Sequence, residues 1–156
     1  MEQISQVLFA LDKMADINDQ RVNRYKHLAE KSKDVESKLF FMQYAIQAQT
    51  FTATLNKWRV AYGATPHTPK KGSLMSQAYS HFMKVVSLGS KAFELRECEV
   101  MESNALKTYR TATALSFLPV ATLQDITSQT NELEKAHYTL KAFRENGAHQ
   151  WQAAFA

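Results

Sequence analysis

The chain is short of almost everything that marks a specialised class of protein. It has one cysteine, Cys98, in 156 residues. An intrachain disulfide is impossible, and a secreted disulfide scaffold is excluded. It has three prolines and four glycines, too dispersed to build a glycine-rich phosphate loop. No apolar run approaches the 18 or so residues of a membrane span. The start, Met1-Glu2-Gln3-Ile4-Ser5-Gln6, has neither the basic residues nor the apolar stretch of a secretory signal. A cytoplasmic protein that does not engage a membrane is the expectation. The excess of basic residues is small, +4 overall, and the only adjacent basic pairs are short, as at Lys70-Lys71. Without a basic run interleaved with aromatics, nucleic acid is not an expected partner.

What is present is helix-forming material. Of the residues, 45% are hydrophobic and 22% charged, so the chain has enough apolar mass to bury a core. Its size fits one domain over residues 1–156. Gly63, Gly72, Gly89 and Gly147 with Pro66, Pro69 and Pro119 leave three windows free of breakers, 1–62, 90–118 and 120–146. Sustained alternation is missing, and no Asn-Gly or Asp-Gly turn lies between apolar runs, so strands are not expected. The first window would make a rod of about 90 Å as one helix. It must break, and Glu30-Lys31-Ser32-Lys33-Asp34 is the place, with Asp34 as N-cap of the second helix.

The predicted elements are helix A over about 3–31, helix B over about 35–62, a short helix over about 74–87, helix C over about 91–115 and helix D from Pro119 to about 146. Helix A carries a stripe of Ile4, Leu8, Leu11, Ala15, Asn18, Val22, Tyr25 and Ala29. Helix B carries Val35, Leu39, Met42, Ile46, Gln49, Ala53 and Val60, and helix D carries Val120, Leu123, Thr127, Thr130, Leu133, His137 and Leu140. The A–B and C–D connections span a few residues each and force antiparallel hairpins. The crossover, about 63–89, is long enough to travel the length of a bundle and carries its own short helix. The expected fold is therefore all-α, a ferritin-like four-helix bundle made of two hairpins joined by a long crossover. Phe40, Phe41, Phe51 and Trp58 exceed what one inward stripe of helix B needs and point to a second buried face, against the crossover helix or a second subunit. A homodimer is the expected assembly. The tail, 148–156, brings Trp151 and Phe155, which suit docking on the bundle, on a neighbouring subunit or on an unknown protein partner.

Four groups of residues carry a resemblance. Asn18-Asp19-Gln20-Arg21 followed by Tyr25, Gly72-Ser73-Leu74 at the short helix, Glu97-Cys98-Glu99 with Glu102 and Tyr109 in helix C, and His137 in helix D together resemble a bacterial ferritin-like family of unknown function, related to the YciE/YciF stress proteins. The resemblance covers about residues 10–146. It implies a helical bundle and a loose link to stress, without an established reaction. Thr54 stands before Leu55 where such proteins usually have a glutamate.

A ferritin-like di-metal centre takes one glutamate from each of two helices and a Glu-x-x-His from each of the other two, because residues three apart share a helix face. Helix D offers Glu134-Lys135-Ala136-His137. In a chain with 5 histidines and 15 acids, about half a match to that spacing arises by chance. Asn18 and Asp19 of helix A, Gln49 of helix B, Glu99 and Glu102 of helix C and His137 of helix D fall in one layer, to within two turns. The candidate metal ligands are thus Glu99, Glu102, Glu134, His137 and Asp19. Helix B has only Glu36, at its start, and no histidine, so a complete centre is not expected. No cofactor is expected, with half a site for a single iron or other transition ion as the alternative, and the layer reads as a hydrogen-bonded network that fixes helix register. His27, His67, His81 and His149 read as surface or loop residues. Cys98, between Glu97 and Glu99, reads as an unreactive thiol, and the six methionines as core filling. The sequence thus favours a non-enzymatic bundle with a structural or stress-associated role, over a metal-binding ferritin-like protein for iron handling or di-metal oxidation with a degenerate site.

Overall fold

The computed structural model describes residues 2–69 and 91–146. Among the described residues there are four helices in chain order, α1 Glu2–Lys31, α2 Val35–Ala61, α3 Lys91–Thr113 and α4 Val120–Asn146. The expected bounds hold to within two residues. The short helix expected at about 74–87 and the tail 148–156 lie outside the described residues. No helix among the described residues is long and apolar enough to cross a membrane.

Local chemistry sets the breaks. Asp34 has extended backbone and its carboxylate accepts from Ser37 N at 2.8 Å, capping α2. At the other end Gly63 takes φ +87°, the left-handed conformation that L side chains resist. Ala64 N donates to Arg59 O and Gly63 N to Val60 O, which satisfies the last carbonyls in a Schellman motif. Pro119 precedes α4 and its carbonyl accepts from Leu123 N at 2.9 Å.

Neighbouring helices run antiparallel. Lys31 lies beside Glu94 and Arg21 beside Glu102 across α1–α3. Phe40 stacks on Phe143 and Trp58 donates to Asp125 across α2–α4. α1 thus sits between α2 and α3, and α4 closes the square, as two hairpins with a long crossover require.

The core is divided in two. One cluster joins Val7, Leu11, Met14, Leu55, Tyr109, Ile126 and Leu133. The other joins Tyr25, Leu28, Phe40, Phe41, Tyr44, Leu140 and Phe143 around stacked and edge-on rings. Between them lie buried Asn18, Arg21, Glu102 and Gln129.

α2 corrects the sequence reading. Val35, Leu39, Met42, Ile46, Gln49, Ala53 and Val60, expected inside, are exposed, and Phe40, Phe41, Tyr44, Ala48, Phe51 and Leu55 face the core. The helix carries two apolar stripes on opposite sides at the same period. Burying the aromatic one removes more area from water, because each ring hides about 150–250 Å². The aromatics therefore belong to the first buried face rather than a second. On α4, Thr130, Leu133 and Leu140 point inward as expected, whereas Val120 and Thr127 are exposed.

Candidate functional site

The interior layer is built from all four helices. Arg21, one turn past Asn18 on α1, projects to the bundle axis and is fully buried. Its Nε donates to Glu102 Oε1 of α3 at 2.8 Å, Nη1 to Asn18 Oδ1 at 3.0 Å and Nη2 to Gln47 Oε1 of α2 at 2.6 Å. Tyr25 OH donates to the same Glu102 oxygen. Asn18 Nδ2 donates to Tyr109 OH at 2.7 Å, Tyr109 OH donates to Gln129 Oε1 of α4 at 2.6 Å, and Gln129 Nε2 reaches Phe51 O at 3.4 Å. The guanidinium also lies over the rings of Tyr25 and Phe51. A charge this deep is tolerable only with a partner and satisfied donors, and the layer supplies both.

The electrostatics follow from that burial. Removal from water alone would lower the Arg21 pKa, but the Glu102 carboxylate more than offsets it and holds the guanidinium charged. Burial, reinforced by Glu102, pushes the Tyr25 phenol well up, and burial pushes Tyr44 up to about 12. The Cys98 thiol is likewise raised by burial, so it stays protonated. The second oxygen of Glu102, Oε2, has no hydrogen-bond partner among the described residues.

The sequence-derived candidates separate in space. Glu102 lies in the sealed core. Glu99, on the flank of α3, pairs with Arg144 of α4. Glu134 pairs with Arg110 at 2.8 Å on the surface. His137 is half-buried on an α3–α4 groove that Lys107, Arg110, Glu134 and Tyr138 also line, and its Nδ1 finds no hydrogen-bond partner among the described residues. Asp19 turns outward to His67. Among the described residues these five do not converge on one point. Helix α2 enters the layer through Gln47, not the expected Gln49, and the cation Arg21 was absent from the sequence-derived site.

Sequence reading also missed His67. It follows α2 in the crossover, yet its side chain is only 3% exposed. Asn56 Oδ1 accepts from its backbone N at 2.7 Å, and its ring presses onto the outer face of α1. There Asp12, Asp16 and Asp19 share a side, being four and three residues apart. Nδ1 lies 2.8 Å from Asp12 Oδ1, and Nε2 lies 2.7 Å from Asp19 Oδ2 and 3.4 Å from Asp16 Oδ1. Arg59 completes the group, 3.2 Å from Asp12. Burial alone would lower the His67 pKa, but the Asp12 and Asp19 carboxylates raise it above the ordinary value. Burial, aided by the neighbouring acids, raises Asp19 despite His67. The legible signal was the acidic spacing on α1. Its partner came from a loop, where no periodicity reports which way a side chain turns.

Comparison with known proteins gives the fold its context. No family model matches the chain, and no curated protein matches it. Among solved structures, it is similar to a two-domain protein from Anabaena variabilis that contains DJ-1/ThiJ/PfpI-like and ferritin-like domains, with a TM-score of 0.70 at 14% identity. The likeness covers 91% of this chain and 36% of that one. The chain therefore spans little more than a third of that protein's length. At this identity the match speaks for the fold, an all-α ferritin-like four-helix bundle, and for the fold alone.

Proposed function

We propose that this chain is a non-enzymatic ferritin-like bundle with a structural or stress-associated role, in which an internal ion pair stands where a ferritin-like protein would hold metal. The buried Arg21–Glu102 contact carries the reading. A ferritin-like centre gathers carboxylates around cations. Here the cationic charge is covalent, supplied by a guanidinium whose three nitrogens are each committed. Helix α2 brings an amide, Gln47, in place of a carboxylate or imidazole ligand. A network that commits the guanidinium to partners on α2 and α3 fixes helix register. The stress-associated part rests on the family resemblance of the sequence.

The alternative, a degenerate metal site for iron handling or oxidation, is favoured by the unpartnered His137 Nδ1 near Glu134. The two separate by metal content. Protein produced in iron- and manganese-supplemented medium is compared with Glu102→Gln and His137→Ala forms. The proposal expects no iron or manganese whose retention depends on Glu102 or His137. Stoichiometric iron lost in either variant would overturn it.

A further inference from the structure

A second cluster, remote in role from the core, has the chemistry of a ligand set. We infer that His67, Asp16 and Asp19 form a mononuclear site for a divalent first-row transition ion, zinc suiting the donors best, with Asp12 as a positioning residue. The inference is independent of how the interior layer is read.

The donors come from two elements. Asp16 and Asp19, three apart on α1, present carboxylates on one side, and the crossover brings a nitrogen donor down onto them. One donor atom from each of the three lies within 4.8 Å of the others. The imidazole is not a loose surface ring. It is buried, its backbone is tied to Asn56, and Asp12 binds Nδ1. A carboxylate on one ring nitrogen fixes the tautomer that offers the other nitrogen's lone pair, as around protein-bound zinc.

The spacing is near that of a coordination sphere. With bonds of about 2.0–2.2 Å, tetrahedral donors stand roughly 3.3–3.5 Å apart. The Nε2–Asp16 distance is 3.4 Å. The Nε2–Asp19 distance, 2.7 Å, is that of a hydrogen bond and opens by roughly 0.6 Å on metal entry, a small side-chain rotation. Charge points the same way: three carboxylates face one imidazole and Arg59. On binding, the Nε2 proton leaves to solvent, the nitrogen lone pair and one oxygen each from Asp16 and Asp19 coordinate the ion, and water takes the remaining position. One imidazole with two carboxylates suits zinc better than calcium or magnesium. The ion then clips the start of the crossover to α1 and stabilises the fold by mass action.

The test uses the full chain, stripped with chelator and titrated with zinc chloride by calorimetry at neutral pH, beside thermal unfolding. One zinc per chain is expected, with release of about one proton and a zinc-dependent rise in Tm. Asp12→Asn weakens binding about tenfold or more, as loss of an outer partner does. Asp16→Asn removes a ligand but leaves the Asp12 and Asp19 contacts of His67 in place, so it separates loss of the site from loss of the clamp. It and His67→Ala abolish the zinc-dependent rise, while His137→Ala retains it. Absence of zinc uptake overturns the inference, as does uptake indifferent to both Asp16→Asn and His67→Ala. Uptake lost instead in His137→Ala and Glu102→Gln would overturn this site and the structural reading of the interior together.

Discussion

Arg21 and Glu102 are both fully buried, so removing one has a different consequence from removing both. Arg21→Ala strands a carboxylate in the core and should cost about 3–5 kcal/mol. Arg21→Met combined with Glu102→Leu replaces the pair with apolar volume and should recover most of that loss. Chemical denaturation measures both, and a cost below about 1 kcal/mol for Arg21→Ala would show that the pair carries little. The exposed Arg110–Glu134 pair has the same chemistry, but water screens it, and its loss should cost under about 1 kcal/mol. Cys98 gives a further check at this scale. Its thiol is buried and its pKa raised, so a thiol reagent should label it in denaturant and leave it unmodified in the folded protein. Fast labelling of the native state would mean that α3 opens there.

Among the elements, the turn after α2 is the most specific piece of local chemistry. Gly63→Ala meets no neighbouring atom, yet it keeps a positive φ and should cost about 1–2 kcal/mol in thermal unfolding. The crossover anchor is pH-dependent with a definite sign. Asp12 and Asp19 raise the His67 pKa above its ordinary 6.5. Its contribution to stability is therefore full below that value and is lost as pH rises through the folded-state value. In chelator, the Tm difference between the native chain and His67→Gln should shrink from mildly acidic to alkaline pH. A difference that grows instead would contradict the clamp. Helix existence and bounds were legible because caps and breakers act locally: Asp34, Gly63 and Pro119 each stop or start a helix by their own chemistry. The inward side of α2 was not, because periodicity reports that a stripe exists without reporting which of two stripes the bundle covers. The layer was legible as polar residues at one height, through Asn18 and Glu102. Its Arg21 partner was not, since a mid-helix arginine ordinarily reads as solvated.

At the scale of the whole molecule, a polar belt separates an aliphatic-rich cluster from an aromatic-rich one. Such a belt penalises any slip of one helix past another, since a slip would bury its polar atoms against rings and aliphatics. The outer stripe of α2 contributes nothing to this core. Phe41→Ala should therefore cost about 3–5 kcal/mol, whereas Leu39→Lys should shift stability of the single subunit by under about 0.5 kcal/mol. The central claim is that a side-chain cation, rather than metal, balances Glu102. Anomalous diffraction at the iron and manganese edges, from crystals grown with both ions, tests it most directly. The account predicts guanidinium density against Glu102 and no anomalous peak in the bundle interior. Two peaks beside Glu102, with Arg21 displaced, would contradict it.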